Sequence, residues 1–529
     1  MARISPLSLV RNDGDEESPP TVAELREELA FVCDGALQRV QQLAASEDDL
    51  SFRDVEREVR TLVFGVGRAL VVLFLALREE HLIGRDGLAR LEWFGRRYRP
   101  RPAIGRNLTT LFGVVRYFRR YMRDVTDGKG GHGFHPLDLS LGLGADRLSW
   151  NVLAQAARLA TELAYASARS VLSDFMPNAP STEVIEHAML GLGRHSEAFF
   201  EMQPAPEDDG QVLVVEIDGK AVPTATKREL ARRRRKRPRR PKPGSPRHRG
   251  RRKRARYPNP PRRKKGDKRK NGKMVTMVVM YTLRRVGTRR LEGPVNRRHY
   301  ASFGPKRHGF AIARREANKR GFGPDSGRLI QVVTDGDNDY ANLAAEVFPE
   351  AMHTIDCYHV FERLWEAGTC FLEEGSAELK TWVDAQKDRL FDDDVDAVLD
   401  DMKRRRDAIA KTGPGNKGRR ERLKAARTYL SKRAHKIHYG SLRRRDLVLS
   451  TGIVEGAIKN IIAKRCDHGG MRWIKERAQA VIQLRCIATN NDWNAFERFV
   501  HDRLRAAAHI NRAPTRLQTA IPQQLPEAA

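Results

Sequence analysis

The stretch Gln211–Lys220, QVLVVEIDGK, decides how the rest of the chain is read. A short apolar, β-branched run that ends in an acid and a glycine reads as a buried strand with a carboxylate exposed where the strand stops. Taken alone, Asp218 is an ordinary turn residue, since Asp before Gly is common wherever a strand ends. Two later segments change that reading. RLIQVVTDGDNDY, from Arg328 to Tyr340, repeats the pattern and ends its apolar run in Asp335-Gly336. STGIVEGAIKNIIAKR, from Ser450 to Arg465, places Glu455 at the start of a long amphipathic pattern. Two strand-end aspartates and a helix-borne glutamate can form a three-carboxylate pocket for divalent metal.

The chain has 529 residues, enough for two to four domains with substantial cores. It carries 98 Lys+Arg against 67 Asp+Glu, a net charge of +31, which implies a polyanionic partner and most simply nucleic acid. The charge is concentrated. Lys227–Lys273 holds 26 basic and 2 acidic residues, leaving the remainder only mildly basic. This segment has no apolar period and several prolines, so it is expected to be disordered in isolation and to bind phosphates without reading sequence. Its clusters are Arg232, Arg233, Arg234, Arg235, Lys236 and Arg237, then Arg251, Arg252, Lys253 and Arg254, then Arg262, Arg263, Lys264 and Lys265. A solvated, idle loop is the alternative.

Cys33, Cys357, Cys370, Cys466 and Cys486 are isolated, which indicates neither a disulfide scaffold nor a zinc finger. The first twenty residues lack the apolar region of a signal peptide. The most apolar window, Leu62–Leu77, is interrupted by Arg68 and is expected to be a core helix and not a membrane span. A cytoplasmic, nucleoid-associated protein without a membrane partner is expected.

In chain order, residues 1–20 read as disordered and a helix starts after Thr21 as N-cap. A second, more buried helix follows. Arg99 to about Gly144 alternates like a strand pair, then carries His132 and His135 in a Gly-rich turn, which reads as a metal site or a plain loop. A helix over Ala145–Met176, a break at Pro177–Pro180 and a helix from Ser181 to about Gly193 read equally as a helix-turn-helix DNA reader and as an ordinary helical hairpin. A domain boundary is expected at Met202–Gly210. From Gln211 the order is strand, strand, strand, helix, strand, helix, strand, helix. That is the succession of a mixed α/β sheet with helices on both faces, a ribonuclease-H-like core. A helical insertion over 361–440 precedes the segment 445–505 that carries Glu455, and the tail from 506 reads as loose.

Phosphoryl transfer on DNA needs in-line attack with charge neutralised on the entering and leaving oxygens, which two magnesium ions roughly 3.5–4 Å apart can supply. Magnesium wants hard oxygen ligands, with manganese able to substitute. Asp335 is preferred to Asp337 and Asp339, which read as cap residues of the next helix. Glu455 is preferred to Glu362 and Glu476 because the two glycines of GIVEG leave room for close approach. Asp356 and His359, in TIDCYHVFERL, read either as a helix cap with its histidine or as a supporting pair that contacts the cleaved phosphate.

FHPLDLSLGL, EIDGKAVP, NGKMVTMVVMYT, VTDGDNDYANLAAEVFPEAMHTIDCYHVFERL and GIVEGAIKNIIAKR…GGMRWIKERAQAVIQLR…NNDW follow one another over roughly residues 105 to 500. In that order the set resembles the DDE transposases of bacterial insertion sequences, most closely the ISKra type. The resemblance implies a catalytic, metal-binding triad of Asp218, Asp335 and Glu455 and a ribonuclease-H-like core with a helical insertion. It implies a mostly helical N-terminal DNA-binding region, and terminal inverted repeats and target DNA as partners. Synapsis of two ends implies a homodimer or higher oligomer on DNA. Two features depart from the pattern: the basic loop after Asp218 is long, and LSTGIVEG stands where a glycine-serine-glycine form is commoner. The competing readings are a structure-specific nuclease on the same core and a decayed, non-catalytic nucleic-acid-binding protein.

Overall fold

The computed structural model describes residues 18–46, 49–83, 91–93, 96–126, 131–144, 147–229, 231, 272–287, 290–468 and 471–512. Nearly all of the basic segment, including every Arg and Lys named above for DNA contact, lies outside them. So do the residues before Ser18 and after Arg512. The chain divides into two compact units, one of residues 1–195 with 493–529 and one of residues 196–492. This differs from the sequence reading in two places. The boundary precedes the helix Ser196–Met202, and the helix Trp493–Arg512 groups with the N-terminal unit and not with the segment carrying Glu455.

In the first unit, α1 (Val22–Ala44) begins with a reciprocal cap: Thr21 accepts from the Glu24 N–H while Glu24 accepts from the Thr21 N–H. It packs on α2 (Phe52–Ile83). The expected core helix is not one: of its large apolar side chains among the described residues only Val72 and Leu75 are buried, and a line of others stays exposed. Strands are more numerous than the expected pair. A four-stranded sheet joins β1 (Leu91–Trp93), β2 (Arg96–Pro100), β5 (Met122–Asp124) and β6 (Gly131–Phe134), while β3 (Ile104–Thr110) pairs with β4 (Gly113–Arg119). His135 follows β6 as the residue before α3 (Pro136–Leu141), its Nδ1 2.9 Å from the Arg120 carbonyl. Burial and the Arg119 charge hold its pKa down at about 4, so it serves as a neutral structural histidine.

The helix expected over 145–176 is broken into α4 (Trp150–Glu162) and α5 (Tyr165–Phe175), with Leu163 and Ala164 extended between them. No Gly or Pro marks that break. The small buried face of α4, Ala156, Ala157, Ala160 and Thr161, packs closely on α6 (Thr182–Gly193), and tertiary packing overrides the local helical pattern.

The second unit opens with α7 (Ser196–Met202) and is built on one five-stranded mixed sheet. β7 (Val212–Val222), β8 (Lys273–Val286) and β9 (Arg290–Ser302) form an antiparallel meander. β10 (Leu329–Thr334) adds parallel to β7, and β11 (Met352–Ile355) parallel to β10. The strand order is therefore β11-β10-β7-β8-β9. Val212–Val215 and Ile217 are almost fully buried, as are Val332 and Val333, so the central strands have apolar neighbours on both faces and read as continuous hydrophobic runs. α8 (Lys306–Lys319) joins β9 to β10, and α9 (Asn338–Val347) joins β10 to β11. Then come α10 (Cys357–Gly368), the helical insertion α11 (Ala377–Phe391), α12 (Val395–Ala408) and α13 (Asn416–Ser431), and α14 (Tyr439–Arg444). α15 (Gly452–Ala457) runs on through a π-helical turn, Ile458–Ala463; α16 (Lys475–Thr489) follows and α17 (Trp493–Arg512) returns to the first unit.

The long basic segment does not prevent the first two strands from closing. Val222 pairs with Lys273, so the segment is the loop of a β7–β8 hairpin whose register is continuous down to its base. The Trp473 stretch secures the exit: the Ala225 N–H donates to the Trp473 carbonyl and the Trp473 N–H to the Pro223 carbonyl.

Candidate active site

In the parallel pair, Ile217 of β7 sits opposite Thr334 of β10. Asp218 is the next residue of β7 and Asp335 the residue that follows β10, so the two aspartates come level where the parallel pairing ends. β7 itself does not stop at the acid, as the sequence led one to expect, but runs four residues further with Asp218 opposite Met277 of β8. The carboxyl end of a parallel strand, here that of β10, is where open α/β sheets place their ligands. Asp218 is half-buried and its Oδ1 accepts from the Gly219 N–H at 2.5 Å. Burial lifts its pKa to about 6; the Gly219 N–H opposes this, the charges of Asp335 and Glu455 push the same way as burial, and His359 opposes them. The other two acids singled out in the sequence thus raise Asp218, and His359 lowers it.

The turn after β10 separates the three competing aspartates. Asp335 Oδ1 accepts from the Asp337 N–H at 2.9 Å. Asp337 caps α9 through the N–H groups of Asp339 and Tyr340, and Lys306 Nζ bridges Asp337 and Asp339 at 3.1 Å each. Gly336, at φ +83°, is forced to be glycine twice over, by its left-handed backbone and by the Tyr429 hydroxyl, which an added Cβ would strike. Tyr429 and Arg433 come from the helical insertion and its exit, with Arg433 Nη2 donating to the Gly336 carbonyl at 2.8 Å. The insertion therefore braces the Asp335 turn.

Glu455 stands on the exposed side of α15. Two buried carboxylates hold the start of that helix. Glu216, on β7 two residues before Asp218 and so on the same face, accepts from the Val454 N–H at 2.8 Å and from the Tyr281 hydroxyl at 2.7 Å. Asp356 accepts from both the N–H and the hydroxyl of Thr451 at 2.5 Å, and caps α10 through the N–H groups of Tyr358 and His359. Both carboxylates are fully buried. A phosphate contact is closed to Asp356, and its part in the site is to tie the N-termini of α10 and α15 together. His359 keeps a half-exposed ring, its Nδ1 3.3 Å from Glu362. The π-helical turn lies directly after Glu455, a local widening that helices often carry at functional sites.

Glu216 and Thr451 escape a search for strand-end acids. The signal for Glu216 was present: a lone carboxylate in an otherwise apolar strand must find donors if it is buried. Burial lifts its pKa to about 7, against the Tyr281 and Val454 hydrogen bonds and with help from the charge of Asp356. A second feature was hidden by the greater charge of the loop. Residues 403–436, spanning the end of α12 and all of α13, carry fourteen basic and two acidic residues, and Lys417, Arg419, Arg422 and Lys424 are exposed.

As donors, Asp218, Asp335 and Glu455 supply oxygen alone, the set a hard divalent cation takes, and their mutual repulsion at Asp218 is what a cation would relieve. Among the described residues, however, no three His, Cys, Asp or Glu side chains stand close enough to hold a metal ion as placed.

No protein-family model and no curated protein matches the chain. Among solved structures it is similar to a Drosophila P element transposase strand transfer complex, at 10% sequence identity and a TM-score of 0.29, covering 67% of this chain and 95% of that one. So low a score carries no argument about what this chain is or does, and it lends nothing to the ISKra type.

Proposed function

We propose that this chain is a DDE transposase of ribonuclease-H-like fold, a metal-dependent polynucleotidyl transferase that cuts and joins DNA at the ends of an insertion sequence. The observation that carries the reading is the alignment of Asp218 and Asp335 where the parallel pairing of β7 and β10 ends, with the charge of Glu455 reaching Asp218 from a helix anchored on the same strand. The strand order, an antiparallel meander followed by two parallel strands added beside the first, supports the fold assignment. Asp218, Asp335 and Glu455 would hold two magnesium ions, which supply charge neutralisation on the attacking and leaving oxygens. The chain's own residues do the positioning. β7 and β10 fix the two aspartates, Glu216 and Asp356 fix the start of α15, and the Asp335 turn is braced by Tyr429 and Arg433.

DNA contact is supported by charge. The basic segment leaves β7 after Val222, four residues and roughly 13 Å of strand beyond Asp218, and the basic insertion helix α13 touches the Asp335 turn. Terminal inverted repeats are the proposed substrate.

The test is strand transfer with a labelled donor end, a supercoiled target and magnesium or manganese. Native protein should join the donor 3′-end to the target, and Asp218→Asn should abolish joining while retaining DNA binding. An Asp218→Asn protein that still cuts and joins would remove the assignment; cleavage by native protein with no joining on any donor would leave a nuclease.

A further inference from the structure

α2 is apolar on two sides. One side is buried within its own unit, through Val72 and Leu75. On the other, Phe52 is 80% exposed, Val63 56%, Leu70 51% and Phe74 53%, with Val59 and Leu77 at 37% each. At 100° per residue these six side chains fall within an arc of about 60°, a single straight stripe about 38 Å long. Isolated exposed leucines and valines need no explanation, but a continuous stripe on one helix marks an interaction surface.

We propose that this stripe is where two copies of the chain associate, α2 against α2, antiparallel about a two-fold axis. The stripe matches itself when reversed. Phe52 then faces Leu77, Val59 faces Leu70 and Val63 faces Val66 of the second copy, so every apolar position meets another in an isologous contact. Val59, Val63, Val66, Leu70, Phe74 and Leu77 follow one another at spacings of three and four residues, the seam along which helices wrap on one another. Charge selects the partner. α2 carries five basic and five acidic residues and α1 two basic and four acidic, so this hairpin is slightly acidic in a chain of net charge +31. DNA has nothing to hold here, and a second copy meets no repulsion.

By length and composition the same helix could cross a bilayer. Arg53, Arg57, Arg60 and Arg68 lie along it, and Arg68 donates to the Phe112 carbonyl at 3.1 Å, which a helix surrounded by lipid would have to give up. Self-association is also independent of the acidic site, so the two readings fail separately.

The test is sedimentation velocity of the full-length chain without DNA, in high salt. Native protein should sediment as a dimer at low micromolar concentration. Val63→Glu/Leu70→Glu should be monomeric, with the far-ultraviolet circular dichroism and melting of native protein, since both side chains are exposed. Phe52→Glu and Leu77→Lys should each weaken the dimer at least about tenfold. Combined in one chain, they should restore it, because the antiparallel register sets the new charges against each other. A monomeric native protein overturns the proposal. So does a Val63→Glu/Leu70→Glu protein that remains dimeric, a combined variant weaker than both singles, or native protein that floats with phosphatidylcholine vesicles and shows no dimer.

Discussion

Replacing Glu216 by glutamine should remove a pH dependence that the native carboxyl imposes on folding. In the folded chain burial raises its pKa to about 7, from an ordinary 4.5. The folded state therefore binds this proton more tightly than the unfolded chain does. The stability it contributes is complete below the ordinary value and is lost as pH rises through about 7, a loss of about 3 kcal/mol across that window. Other groups titrate over the same range, Asp218 among them, but they are common to both proteins and cancel in the difference. Urea unfolding of native and Glu216→Gln protein, followed from about pH 5 to about pH 8, should give a native-minus-variant stability that falls with pH by about 3 kcal/mol. A flat difference, or one that rises, would refute the burial and pairing assigned to this side chain. Function separates two variants further. Glutamine keeps a carbonyl for the Val454 N–H, so Glu216→Gln should retain strand joining. Glu216→Ala leaves the Tyr281 hydroxyl and the Val454 N–H buried without an acceptor, about 1–3 kcal/mol each, and should lose joining with the anchorage of α15.

Asp356→Ala should cost about 3–5 kcal/mol, read as a lowered melting temperature, because four donors on two helix N-termini lose one buried acceptor. Asp356→Asn should cost less and still reduce joining more than DNA binding. Gly336→Ala should destabilise by about 1–3 kcal/mol in urea, from its left-handed backbone, and Tyr429→Phe in the same chain should recover only the part due to the clash with the hydroxyl. Changing Lys417, Arg419 and Lys424 together to alanine should lower the salt slope of DNA binding by about one for each phosphate that α13 no longer neutralises. An unchanged slope would show that α13 does not touch DNA.

The strands of the second unit were legible because burial on both faces leaves an unmistakable mark, a run of β-branched residues with a turn signal at its end. Leu329–Thr334 falls within the apolar run of RLIQVVTDGDNDY. Asp335 was legible for the same reason, since it comes where β10 stops; Asp218 ends the apolar run but not its strand, which continues to Val222. What stayed hidden depends on packing across long sequence separations. Nothing near residue 163 announces the break between α4 and α5, and nothing in the apolar count of α2 separates a buried helix from one with a face left bare. Hydropathy records that a side chain avoids water, not which surface covers it.

The anchoring of Glu455 shows the same limit at the site. Asp218 and Asp335 need only their strands to come together, because parallel pairing in register brings the two positions level. Glu455 has no such guarantee. It lies more than a hundred residues beyond Asp335, on a short helix that a π-helical turn interrupts, and helix propensity does not set where such an element docks. Two carboxylates drawn into the interior supply that placement, one from the strand that bears Asp218 and one from the residue that follows β11. An unpaired buried carboxylate would cost several kcal/mol, so each must find the N–H groups of α15 or force the local structure apart. The placement of the third acid is thus coupled to the satisfaction of Glu216 and Asp356. Loss of either should damage joining more than it damages DNA binding, which depends on charges elsewhere on the chain.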